Sequence, residues 1–182
     1  MRQAIRLLLA VTLAGALAHA QENPPQSKTV PDSINFIWKS VAKDFTRLAD
    51  AMPEEKWSFK PTQGAFTNAR TFAEQVKHVA CANEAWAAHI LKEKQPEHCD
   101  LGGPSPAKSK AEIMTYLRES FTHMDSAIAS VSVSNLLEPA HGEYRGDNRL
   151  SAVTAAVWHI SDHYGQLVEY LRMNGIVPPA SQ

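Results

Sequence analysis

The stretch SAVTAAVWHISDHYGQLVEYLRM, residues 151–173, decides the fold. Val153, Val157, Ile160, Leu167 and Leu171 are separated by four, three, seven and four positions. That is the repeat of a helix with one buried stripe. Asp162, Glu169 and Arg172 fall on the other side of the apolar arc, as a solvated flank requires. Asn174-Gly175 and then Pro178-Pro179 follow, residues that stop a helix because Gly accepts a left-handed cap and Pro cannot continue the ladder.

Working outward, three more segments read as helices. Thr71-Phe-Ala-Glu74 and Ser109-Lys-Ala-Glu112 both match the capping box, in which a hydroxyl and a carboxylate satisfy each other's free backbone donors. The first predicts a helix from 71 to about 94, stopped by Pro96, and the second a helix with Ile113, Leu117, Phe121, Met124 and Ile128 on one stripe. A further helix is predicted from Pro31-Asp32 to Pro53, capped by Asp32 or Ser33, with Ile34, Ile37, Val41, Phe45 and Leu48 facing the core. Residues 131–149 read as a long polar connection. No stretch alternates with the period of two that a strand needs. The expected fold is therefore all-α, a four-helix bundle over residues 31–179.

The N-terminal segment MRQAIRLLLAVTLAGALAHA has two arginines, a short apolar run and Ala18-His19-Ala20. It reads as a signal peptide over 1–20, cleaved before Gln21, and too short to remain as a membrane anchor. Residues 21–30, polar and proline-bearing, read as a disordered leader. The expected location is outside the cytoplasm, periplasmic or extracellular. The whole chain carries a formal net charge of −1, and loss of Arg2 and Arg6 makes the remainder more acidic. With no Lys/Arg cluster to offset that balance, nucleic acid is excluded as an expected partner.

Cys81 and Cys99 are the two cysteines. A helix continuing from Cys81 to residue 94 carries the chain ~20 Å away, and five residues return at most ~17 Å. Two separate thiols are thus favoured over an intrachain bridge, which needs the helix to end early.

The chemistry lies on the face of the last helix. With His159 set at zero, His163 falls at about 40°, Tyr170 at about 20° and Gln166 at about −20°. Ala152, Ala155 and Ala156 lie below them, and the face borders the core where an interhelical cleft would form. On the second helix His78 stands beside the apolar arc in the same way, with Glu74 and Ala82 nearby. Neutral imidazoles bind zinc, nickel, copper and iron, and the i, i+4 spacing aims two of them at one ion. Three protein ligands leave a place for water, whose pKa zinc lowers to about 7. Glu74 and Asp162 are candidate orienting carboxylates, and Gln166 and Tyr170 candidate pocket residues. An HxxxH pair taken alone is common among ordinary helix histidines. His89 lies ~16 Å along the axis from His78, too far to share an ion. His98, His123 and His141 read as surface residues.

The runs HISDHYGQLVEYLRMNGIVPP (159–179) and RTFAEQVKH (70–78) resemble the last and second helices of the DinB/YfiT-like superfamily of metalloenzymes. The resemblance extends over about residues 32–179. It implies a four-helix bundle with long crossover connections, often a homodimer. It also implies metal ligation by His78, His159 and His163, with zinc and nickel the expected ions. Some members use low-molecular-weight thiols, as in mycothiol-dependent maleylpyruvate isomerase and bacillithiol transferase. Those thiols are intracellular, which sets them against the export signal here. The expected activity is metal-dependent hydrolysis or group transfer, and the alternative is a non-catalytic metal- or ligand-binding protein.

Overall fold

A computed structural model describes residues 29–65, 67–140 and 147–181. The expected signal peptide, nearly all of the leader and His141 lie outside them. Four helices are present, α1 (Val30–Ala51), α2 (Phe72–Leu91), α3 (Lys110–Ala129) and α4 (Arg149–Met173), with three single 3₁₀ turns and no strand among the described residues.

Side chains at the helix starts take up backbone donors that the helices leave free. Thr71 and Glu74 form the expected capping box on α2, and Ser109 and Glu112 the one on α3. Two starts lie ahead of the expected positions. The Thr29 hydroxyl caps α1, so Asp32 and Ser33 are inside the helix. Asn148 caps α4 through a reciprocal pair with Ser151, which extends the helix back to Arg149. Helix α2 stops at Leu91 rather than 94, because Lys92 takes a left-handed conformation (φ 63°) and its amide turns back to the Ala88 carbonyl.

Long-range bonds orient the bundle. Tyr170 near the end of α4 donates to the Arg70 carbonyl just before α2, while His89 near the end of α2 pairs with Asp147 just before α4. These two helices are therefore antiparallel neighbours. Lys110 at the start of α3 donates to the Asp50 and Met52 carbonyls at the end of α1, so α1 and α3 are also antiparallel. Helices α1 and α2 each pack on both α3 and α4, which places α1 and α2 on one diagonal and α3 and α4 on the other. The connections α1–α2 and α3–α4 cross those diagonals. Because α2 and α3 start at the same end of the bundle, the connection 92–109 runs back along α2. That return brings Cys99 alongside α2.

The core is continuous through all four helices, with Trp38, Phe45, Phe72, Leu117, Ile160 and Leu167 fully buried. Trp38, not Ile37, completes the α1 stripe: its ring meets Phe121 edge-on at 5.7 Å, and Ile37 is 48% exposed. No described helix is long and apolar enough to cross a membrane.

Candidate metal centre

Because α2 and α4 are antiparallel neighbours, residues offset to the same side of their apolar arcs meet across the seam. His78 and His163 are buried and His159 half-buried there. The Nε2 atom of His159 lies 3.2 Å from Nε2 of His78 and 3.0 Å from Nε2 of His163. One ligand atom from each ring falls within 4.8 Å of the other two. Four-coordinate zinc with nitrogen bonds of ~2.0–2.1 Å sets its ligands ~3.3–3.4 Å apart. The two spacings from His159 are thus close to what one small cation imposes, and the third falls within 4.8 Å.

The protons fit the same purpose on His78. Its Nδ1 lies 2.8 Å from the Cys99 carbonyl, which can only accept, so the ring proton is on Nδ1 and the Nε2 lone pair faces the cluster. His159 Nδ1 is buried without a hydrogen-bond partner among the described residues. His163 Nδ1 meets the amide of Gln75, which also donates to Gln166 Oε1 at 2.6 Å, and Gln166 in turn donates to Asp162 at 2.7 Å. This chain makes His163 Nδ1 an acceptor in the metal-free protein. Were His163 to hold an ion through Nε2, its proton would sit on Nδ1 and the Gln75 amide would present its oxygen to it.

Burial keeps all three rings neutral. Desolvation is the first cause at His159, whose pKa is lowered to about 3, and the neighbouring rings and Arg70 act in the same direction. His163 is lowered to about 4, again by desolvation first, with Asp162 opposing. His78 is lowered by desolvation, partly offset by its bond to Cys99. No carboxylate lies within ion-pair distance of the three rings among the described residues. The arrangement is compatible with a bound cation.

The other sequence candidates take separate places. Glu74 accepts from the Thr71 amide and hydroxyl at 2.7 and 2.9 Å, and is occupied by capping. Asp162 is exposed and reaches the cluster only through Gln166 and Gln75. Tyr170 packs on Phe59 and binds the Arg70 carbonyl, away from the rings. Sequence reasoning missed Gln75, although a polar residue one turn before His78 and only 3% exposed carries a signal. It also missed the Cys99 carbonyl, which no side-chain pattern could announce.

The preference for separate thiols is overturned. Cys81 and Cys99 form a disulfide with their Cα atoms 5.2 Å apart. The early end of α2 removes the obstacle: eight residues after Leu91, not five after residue 94, bring the chain back along the helix. A cavity of about 510 Å³ opens above His78 and His159, between Trp86 with Ala82 and Ala85 on one side and the returning chain on the other. A larger cavity, about 850 Å³, lies beyond that chain against Tyr116, Glu119 and His123, and includes none of the three histidines. His123, expected at the surface, is half-buried and paired with Glu84 and Glu93, and His89 is buried apart from the three rings.

Residues 37–167 match the family model described as the DinB superfamily. The fold is similar to that of a DinB-like protein from Bacillus cereus, with a TM-score of 0.67, 17% identity, and coverage of 84% of this chain and 97% of that one. At that identity the likeness concerns the fold. No curated protein matches the sequence.

Proposed function

Since this chain belongs to the DinB superfamily, we propose that it is an exported protein that holds a divalent ion, zinc or nickel, on His78, His159 and His163 and uses it for hydrolysis or group transfer. The observation that carries the reading is the convergence of three neutral imidazoles, two from α4 and one from α2, with the His78 lone pair fixed inward by the Cys99 carbonyl. A bound ion supplies Lewis acidity and acidifies water to a pKa near about 7. The cavity over His78 and His159 receives the substrate, with Trp86 as its apolar wall. The disulfide supports the export reading, since such bonds persist in oxidising compartments.

One observation favours the alternative of binding without turnover. Glu74 is engaged in a cap and Asp162 with Gln166, so neither carboxylate stands ready beside the rings as a general base. Metal analysis of untagged protein tests the common part of both readings. About one equivalent of zinc or nickel is expected, falling below about a tenth in each single His→Ala variant. Metal-free wild type after incubation with both ions would contradict it. Esterase, amidase and transferase screens of the loaded protein then separate turnover from sequestration.

A further inference from the structure

The disulfide stands one helical turn from a metal-site histidine, and the same half-cystine supplies that histidine's only hydrogen bond outside the cluster among the described residues. We propose that the Cys81–Cys99 bond is a positioning device for the site: it clamps the Cys99 carbonyl against His78 Nδ1, and opening it weakens metal binding. The inference rests on the three-histidine reading above.

The carbonyl belongs to a connection with little structure of its own. Between α2 and α3 the chain makes one 3₁₀ turn, Cys99–Leu101, flanked by left-handed residues His98, Gly102 and Gly103. Besides the disulfide, Arg70 fastens this turn through the Asp100 carbonyl and side chain, but the Asp100 side chain is 93% exposed. Exposed pairs of that kind contribute little. The disulfide instead joins the turn to the buried interior of α2, where Cys81 is fully inaccessible. Gly103 lies flat on it: a Cβ there would come within 2.3 Å of Cys81 Sγ, at a φ of +71° that disfavours other residues in any case. The turn also forms part of the cavity wall over His78 and His159. One covalent bond thus governs both the ring orientation and the shape of the space above it.

A dithiol reductant opens the bond by exchange. Its thiolate attacks the sulfur of half-buried Cys99, the S–S bond breaks, and Cys81 leaves as a thiolate that takes a proton. The second thiol of the reductant then displaces Cys99. Two electrons and two protons pass to the protein, giving two thiols, and the reductant becomes a disulfide. The carbonyl then keeps the Gly102 amide within its own turn and His78 as hydrogen-bond partners, and among the described residues the side-chain bonds that fasten the turn itself are the surface ones from Arg70 to Asp100.

Competition with a chromogenic chelator measures Zn²⁺ affinity for three forms of the full chain: oxidised wild type, wild type reduced by a phosphine, and the Cys81→Ala/Cys99→Ala variant. The variant removes thiols that would otherwise act as new ligands. Loss of an orienting partner lowers metal affinity ~10–100-fold, which is expected for the variant and the reduced protein alike, with helical circular dichroism retained. Affinity within about twofold of the oxidised form in the folded variant overturns the proposal. If the variant does not fold, unchanged or tighter binding by reduced wild type overturns it. Failure of the oxidised wild type to bind Zn²⁺ at all sinks the three-histidine reading as well, whereas equal affinities sink this inference alone.

Discussion

The seam between α2 and α4 carries buried histidines at two levels, and they are satisfied in opposite ways. Toward the end of α2, His89 Nε2 meets Asp147 Oδ2 at 2.6 Å, Asp147 also accepts from Ser151, and Gln95 contacts the other ring nitrogen. That ring is a clip tying the start of α4 to α2. Nearer the start of α2, three rings turn their Nε2 atoms toward one another with no carboxylate at ion-pair distance among the described residues. Burying polar nitrogens this way is costly, and the cluster holds an inward His78 lone pair and a His159 Nδ1 without a hydrogen-bond partner among the described residues. The difference teaches how to pick a candidate site out of many histidines: one supplied with its counter-group reads as structural, and a cluster lacking one among the described residues is compatible with a cation.

The largest effect that sharpens this contrast is His159→Ala. It removes the ring that touches both others, and metal content is expected to fall below about a tenth of an equivalent. Retained stoichiometry would show that the cluster resembles the His89 clip after all. Next comes Asp147→Ala, which strips the buried His89 of its carboxylate. It should cost about 1–3 kcal/mol, roughly 3–10 °C in melting temperature at this chain length, with metal stoichiometry unchanged. Loss of metal in that variant would erase the distinction between the two levels.

Gln75→Leu tests the chain that reaches His163 through its Nδ1. Zn²⁺ affinity is expected to drop about tenfold, at the low end of what ring partners contribute, with helical content intact. An unchanged affinity would make Gln75 a packing residue. The smallest expected effect is on pH dependence. His159 and His163 have pKa values lowered to about 3 and about 4 in the fold, below the unfolded value of 6.5. Between those limits the unfolded chain binds more protons, so this contribution to metal-free stability is present above pH 6.5 and is lost as pH falls toward 4. Melting of the metal-free protein should therefore decline more steeply over that interval than in a His159→Ala/His163→Ala variant. Parallel curves would contradict it.

Much of this was legible in the sequence because it is local. Capping boxes at Thr71 and Ser109 and the stripe in α4 are written within one or two turns, and they placed three helices close to their observed positions. The shared offset of His78 and the His159/His163 pair was also readable, because face position follows from helical repeat alone. The Asn148–Ser151 cap was not, since it departs from the hydroxyl-and-carboxylate pattern. Trp38 was passed over for Ile37 because both sit near one stripe, and only the meeting with Phe121 chooses between them. The disulfide turned on where α2 ends, a matter of three residues settled by the left-handed Lys92. His89 with Asp147, and His78 with the Cys99 carbonyl, join positions 58 and 21 apart through the crossover, so no periodicity contains them.

The most direct test of the central claim is Co²⁺ substitution of the oxidised, untagged chain, followed by its visible spectrum, which distinguishes a low-coordinate nitrogen-rich site from the hydrated ion. Intense visible bands that saturate at about one equivalent, disappear in His159→Ala and persist in Asp147→Ala are the expected result. The weak spectrum of the hydrated ion in wild type, or bands unaffected by His159→Ala, would contradict the assignment of the three histidines as a metal site.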